Sequence, residues 1–502
     1  MNRIEVAGGA AVSVALVIQL FGANLKADFG LVDDHQILTF IDHAARGFRD
    51  FFHLFRFSEI VHFGMSNRYR PGYYTLYIFE SLLWGPNPFL WYLSRLFMAA
   101  VFIFACTYVI GQAYGLGSGV LFVFLVFSYP YWTDIWSRLG PGESYCAFGL
   151  ALFAITFERL WNLNHAAWYW SFLLALAVFI AAGAKENFVL LLIPVLVLAY
   201  GMKVRGKLSR HALAAITFSV LYITLIVLEL VIAFAEAGTD FYANPVSLSS
   251  RAATLISAAR IPAFIFAVCS AVSATTILSV FRLHPKLDPS LRSRILQIAW
   301  ISFATLLLLL SQTVFYNGEW PTGMRYDFPG MLATPLLMIA ILDLVSTAIY
   351  LQYPRVRPAL ILLLVLIAFV PQIQSGMNDI YEGSNNNVAR TQSTKAKIAT
   401  IVRELKASPN VPLILESHDP IDNELIMSLK IFLRHFGVGN PVYVRVHAYT
   451  AEAQRTELFR TLAKSVIAWS KMDESEVLRA KQCYSVHFRG QSQTSCKTLA
   501  QF

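Results

Sequence analysis

The sequence predicts an α-helical polytopic membrane protein of about eleven spans, with juxtamembrane helices and a small soluble α/β domain at the C-terminus. Three observations carry this. Only 14% of the 502 residues are charged, against roughly 25% in soluble domains, and 56% are hydrophobic. Long apolar runs recur along the first three quarters of the chain. Lysine and arginine gather in short loops between those runs, as the positive-inside rule expects. The net charge of +9 is therefore an orientation signal. No basic stripe or reader motif points to nucleic acid.

Runs long enough to span cover about 4–24, 89–110, 115–131, 143–159, 166–183, 187–202, 213–235, 258–281, 295–315, 329–350 and 358–373. The first reads as a retained span. Its n-region has only Arg3, offset by Glu5, and Gly22-Ala23-Asn24 is a poor cleavage site. Pro71 to Trp84 is too short to span, carries Glu80, and is rich in Tyr and Trp, the makeup of an interfacial helix.

The basic loops Lys203 to Arg210, Arg282 to Arg294 and Arg355 to Arg357 set the parity as cytoplasmic. With 71–84 not crossing, residues 25–88, 132–142, 184–187, 236–257, 316–328 and 374–502 fall on the other face, and the N-terminus is inside. The expected location is a bacterial-type inner or plasma membrane. The chain divides into a transmembrane domain, 1–373, and a soluble extracytoplasmic domain, 374–502. In the latter, Val411–Leu415 and Val442–Val446 read as strands and Ile421 to Phe436 as a helix. Gly383-Ser384-Asn385-Asn386-Asn387 reads as a linker.

Cys106, Cys146 and Cys269 sit in or beside apolar runs and read as packing residues. Cys483 and Cys496 lie in the polar tail, where an oxidising compartment allows a disulfide. No CxxC or Cys/His pattern for a metal is present.

The chemistry-bearing residues collect on the outer face. Asp33-Asp34 follow the first span, and paired carboxylates at a membrane surface are costly to desolvate. One can take a proton from a hydroxyl, two can hold a divalent cation, or they are simply a helix N-cap. Behind them Ile37 to Phe57 has the spacing of an amphipathic juxtamembrane helix. A second outer loop carries Asp134 and Arg138 and runs into Gly140-Pro141-Gly142-Glu143, either a facing carboxylate or a capped turn. Lys185-Glu186 interrupts an apolar stretch, so each charge needs a partner or a polar cavity, unless the two form a neighbouring pair. The last outer loop holds Glu319, Arg325 and Tyr326. Arg325 suits a phosphate, or pairs with Glu319 or Asp327. With Arg70 and Tyr73, these residues would bind a lipid-linked phosphate donor and its acceptor.

The order of parts resembles the GT-C superfamily of membrane glycosyltransferases. The matching segments are Val32-Asp33-Asp34-His35 after span one, Arg70-Pro71-Gly72-Tyr73-Tyr74, which is similar to that class's RPP-x-YY, Arg95 in the following span, and Arg325-Tyr326-Asp327-Phe328-Pro329, similar to its RYLLP. The segments are short, and they cover roughly residues 1–350 in layout. Gly72 stands where the class has a second Pro, and His35 where an acidic or aromatic residue is common. The resemblance implies a polyprenyl-phosphate-linked sugar as donor and a glycan, lipid or protein as acceptor. It implies a hexosyl- or pentosyltransferase of the mannosyl- or arabinosyltransferase kind, acting with inversion. An outer-loop Asp, Asp33 or Asp34 with Asp34 favoured, would be the base or a metal ligand. No cofactor follows beyond that divalent cation. The alternatives are a lipid-linked-glycan transporter or flippase, a membrane ligase or polymerase of another fold, and a non-catalytic assembly subunit. Against transport, the charges gather at one face and no internal repeat is visible.

Overall fold

The computed structural model describes residues 3–32, 34–42, 69–163, 167–237, 248–283, 288–315, 325–353, 358–417, 422–446, 483–488 and 496–502. It is a helical bundle with a small strand-containing domain at the C-terminal end. The helices are α1 (Arg3–Phe21), α2 (His35–Asp42), α3 (Pro71–Trp84), α4 (Pro88–Tyr114), α5 (Leu116–Val126), α6 (Trp132–Trp136), α7 (Glu143–Asn162) and α8 (Trp168–Ala184). After these come α9 (Leu192–Val204), α10 (Arg210–Ala237), α11 (Leu248–Ala259), α12 (Pro262–Leu283), α13 (Pro289–Phe315), α14 (Ala333–Gln352), α15 (Pro358–Ala407) and α16 (Asn423–His435).

Each apolar run of the sequence corresponds to a helix. Among the described residues seven helices are long and apolar enough to cross a membrane, which makes the chain an integral multi-pass membrane protein. The apolar helices α5 and α8 are shorter, with 11 and 17 residues. Bulky apolar side chains such as Leu196, Leu221, Trp300 and Leu364 stand exposed around the bundle, the inverse of a soluble surface and the expected one for lipid contact.

The two ends of the bundle carry different contacts. Contacts at one end join residue 24 to 137, 70 to 186, 143 to 185 and 325, and 187 to 328. At the other end Arg205 and Lys207 reach the carbonyls of Trp161 and Asn162.

Helix α3 is 14 residues long, short of the ~20 a span needs. One face is buried with Tyr73, Tyr74, Tyr77 and Glu80, while Phe79, Leu82 and Leu83 are exposed. Its charge is neutralised internally. Both Glu80 carboxylate oxygens accept from Arg95, at 3.2 and 3.1 Å. Tyr145 donates to Glu80 as well, and Arg95 also donates to Leu139 O at 3.3 Å. Arg95 is fully buried and so belongs to the scaffold, since losing one partner of such a pair costs about 3–5 kcal/mol.

Position 72 has a steric reason to be glycine. A Cβ there would lie 2.5 Å from Phe179 O and 2.9 Å from the Gly183 carbonyl carbon. Helices α3 and α8 touch backbone to backbone at this point, so a second proline would not fit.

Helix α15 corrects one sequence expectation. It runs 50 residues without interruption, and the Asn-rich run 383–387, read as a linker, lies in its middle. Tertiary contacts override the local turn preference. Ser384 donates to Leu20 O at 2.8 Å and Asn387 to Asn24 Oδ1 at 3.0 Å. Gly383 lets the helix approach Thr133, whose Cγ2 would be 2.5 Å from an added Cβ.

The C-terminal domain has a parallel sheet of β1 (Leu413–Ser417), β2 (Val442–Val446), β3 (Tyr484–Phe488) and β4 (Lys497–Gln501), in the order β2-β1-β3-β4. Helix α16 makes the β1-to-β2 crossover. The central strand β1 is buried along its whole length, as parallel strands are. A Cys483–Cys496 disulfide joins the starts of β3 and β4. The domain docks on the bundle through Ser428, which donates to Leu31 O.

Gly72→Ala is expected to lower thermal stability by about 1–3 kcal/mol, as overpacking does, measured by thermal unfolding of the purified protein in detergent. Unchanged stability would show that α3 and α8 are not in backbone contact. Reduction should expose two further alkylatable thiols under denaturing conditions, lost in Cys483→Ser. An equal thiol count before and after reduction argues against the disulfide.

Candidate functional site

At the end where the predicted outer loops meet, five charged side chains from four segments converge. Tyr77 donates to Leu139 O at 2.5 Å and Tyr73 to Gly140 O at 2.6 Å. These two bonds fix the turn that leads into α7. Glu143 is the first residue of that helix, where the dipole favours an anion. It is 4% exposed and receives a hydrogen bond from Lys185 Nζ at 2.5 Å. Arg325 Nε stands 3.7 Å from the same oxygen. Beside this group Arg70 Nε donates to Glu186 Oε1 at 2.9 Å.

Lys185 and Glu186 therefore do not pair with each other. Lys185 is extended, at φ −155° and ψ 142°, and consecutive side chains on extended backbone diverge. Tyr326 lies between the cations, with Lys185 Nζ 4.9 Å and the Arg325 guanidinium 5.2 Å from its ring centre, close enough for cation–π attraction. Burial pushes the Tyr69 phenol up to about 12, Glu229 adding to the shift, so the residue before Arg70 stays neutral.

Among the described residues the cluster carries three cations against two carboxylates. Beneath it, among α4, α5, α7, α9, α13 and α14, lies a cavity of about 550 Å³. Its walls are almost wholly apolar, from Phe102, Phe122, Leu191, Trp300 and Leu336 among others. Asn187, Phe188 and Pro329 line it too, and these follow Lys185-Glu186 and Arg325-Tyr326 in the chain. Asn187 ties the two segments together by donating to Phe328 O at 3.1 Å.

Asp34 lies elsewhere at the same end. It is 4% exposed, and its Oδ2 accepts the Gly30 N–H at 2.7 Å. It lines a second cavity, of about 250 Å³, with Arg138, Arg390 and Lys397. Tyr73 stands between the two places. Its hydroxyl bonds to Gly140 O, and Gln36 Oε1, two residues past Asp34, is 3.1 Å away.

The structure thus brings together Arg70, Tyr73, Glu143, Lys185, Glu186, Arg325 and Tyr326, and places Asp34 in a neighbouring pocket. Asp134 is half-buried on α6, outside the bonds just described. Asp33, Glu319 and most of the expected helix Ile37 to Phe57 lie outside the described residues. Among the described residues no group of three or more His, Cys, Asp or Glu side chains is arranged to hold a metal. Sequence reasoning missed Asn187, Arg390 and Lys397. A signal for the last two existed, since Asn387, Arg390, Thr394 and Lys397 recur at helical spacing.

No family model and no curated protein matches the chain. Among solved structures it is similar to the crystal structure of ArnT from Cupriavidus metallidurans bound to undecaprenyl phosphate. Identity there is 13%, with 94% of this chain and 90% of that chain covered and a TM-score of 0.44. The apo-state crystal structure of the same protein gives 14%, 92%, 89% and 0.45. Likeness at this level carries no inference about chemistry.

Glu143→Gln removes the carboxylate shared by two cations. It is expected to cost about 3–5 kcal/mol by thermal unfolding in detergent, partly recovered in Glu143→Gln with Lys185→Met. A double variant no more stable than the single one would show that Lys185 and Glu143 do not depend on each other.

Proposed function

We propose that the protein is a membrane glycosyltransferase of the GT-C kind, moving a sugar from a polyprenyl-phosphate donor to an extracytoplasmic glycan, lipid or protein acceptor. One observation carries the reading: a cationic cluster whose segments run on, through Asn187 and Pro329, into the wall of an apolar cavity. A polyprenyl chain needs apolar walls, and its phosphate needs cations at the end of them. Lys185 and Arg325, with Arg70 beside them, meet that need where Asn187 and Pro329 line the cavity.

In the reaction an acceptor hydroxyl attacks the anomeric carbon of the sugar. The bond from that carbon to the phosphate oxygen breaks, and its electron pair leaves with the polyprenyl phosphate. The hydroxyl proton passes to Asp34 or Asp33, and the single displacement inverts the anomeric carbon. Lys185 and Arg325 stabilise charge as it develops on the leaving phosphate. Glu143 and Glu186 hold these cations and Arg70 in place beforehand, so that little reorganisation accompanies the step. The Cys483–Cys496 disulfide supports an oxidising compartment for this end of the molecule.

The test is transfer from a panel of polyprenyl-phosphate sugars by the purified full-length protein in nanodiscs. Asp34→Asn or Asp33→Asn is expected to drop turnover by ~10² or more, and Arg325→Ala by ~10²–10³. Undiminished turnover in both Asp variants would remove the base assignment. Transbilayer movement of the lipid without transfer would favour a flippase.

A further inference from the structure

The second cavity has its own chemistry. It is lined by Asp34, Arg138, Asn387, Arg390, Thr394 and Lys397 among others, so among the described residues three cations and one carboxylate line it. Arg390 and Lys397 are held in position. Arg390 Nη2 donates to Asn387 Oδ1 at 2.9 Å, and Asn387 is itself anchored to Asn24 and to Tyr92 Oη. Lys397 Nζ lies 5.1 Å from the centre of the Phe502 ring, which also lines the cavity. Two residues before Lys397, Lys395 is joined to Asp28 at 2.5 Å.

The location separates this pocket from the donor site. Its walls come from the first outer loop, the later half of α15 and the C-terminal domain, through Leu425 and Phe502, with Arg138 from the loop before α7. Among the described residues only Leu31, Val32, Leu425 and Phe502 are large and apolar there, few for a lipid chain. At about 250 Å³ it falls below the roughly 300–1,000 Å³ of whole-ligand pockets, so it suits one group of a larger molecule.

We propose that this pocket is the acceptor subsite and that it recognises an anionic group, a phosphate or a carboxylate, carried on the acceptor close to the hydroxyl that is glycosylated. The proposal rests on the glycosyltransferase reading. It gives Asp34 a reason for its place: the carboxylate that takes the hydroxyl proton lines the pocket that seats the acceptor. Arg138, Arg390 and Lys397 then do for the acceptor what Lys185 and Arg325 do for the donor. Burial of the anion beside Leu31 and Phe502 strengthens each charged contact relative to water.

The experiment measures binding rather than transfer. Full-length protein in nanodiscs of phosphatidylcholine is titrated with a hexose 1-phosphate, a hexuronic acid and an uncharged methyl hexoside, followed by ligand-observed NMR. At least one charged probe should bind about tenfold or more tightly than the methyl hexoside, and the ranking of the two acids tells phosphate from carboxylate. Arg390→Gln with Lys397→Gln should weaken that binding about tenfold or more. Arg390→Lys should keep most of it, which a merely misfolded pocket would not. Polyprenyl-phosphate binding should be the same in wild type and both variants. Equal binding of charged and neutral probes, or of none, overturns the proposal. So does wild-type anion binding in the double variant, or an equal loss of polyprenyl phosphate. Failure of the donor reading shows separately, as wild-type protein that binds no polyprenyl phosphate.

Discussion

A carboxylate at the head of an apolar helix has to be neutralised where it stands. Glu143 meets that constraint by drawing Lys185 and Arg325 to one oxygen, and much of the site follows. The two cations come from loops about 140 residues apart. Once both are tied to Glu143, the ends of α7, α8 and the segment before α14 cannot separate. Desolvating such groups costs several kcal/mol per ion, so the cluster is a poor device for stability alone. It is a good device for keeping cations ready beside an apolar space, because the pairing holds them in place without removing the local excess of positive charge.

The same constraint explains what the sequence made legible. Arg70, Glu143, Lys185, Glu186 and Arg325 were identifiable because each is a charge in or beside an apolar run, where it needs a partner. Counting spans between basic loops puts them on one face, and the structure brings them into contact at one end of the bundle. The partners were not legible. The sequence leaves Lys185 and Glu186 either as a neighbouring pair or with separate partners, and each bonds to a different segment, because the backbone at Lys185 is extended. Arg95 matched a family position and proved to be the internal counter-ion of Glu80.

The extramembrane half of α15 was the largest misreading, and the cause is physical. A run of Gly, Ser and three Asn has low helix propensity, and in isolation it is a turn. Here the side chains of Ser384 and Asn387 bond to Leu20 and Asn24, and Gly383 permits contact with Thr133. These are long-range partners that no local pattern announces. Reading the run as a linker also hid Arg390 and Lys397, since their helical spacing from Asn387 has meaning only if the helix continues through it.

Two cavities of opposite character therefore sit at one end of the bundle. One is apolar, and the segments that carry the cations run into its wall. The other is small and cationic with one buried carboxylate. The turn at 139–143 links them, and it is held by Tyr73 and Tyr77 from α3 and by Arg95 from α4. A reaction that joins a lipid-borne group to a water-borne one needs both environments within reach of a single bond, yet kept from merging. Helix α3, too short to span, holds the turn between them through Tyr73 and Tyr77. Its Phe79, Leu82 and Leu83 face outward, and its tyrosines point inward to the turn. A longer apolar helix in its place would cross the membrane and carry the Asp34 loop to the opposite face from Arg325.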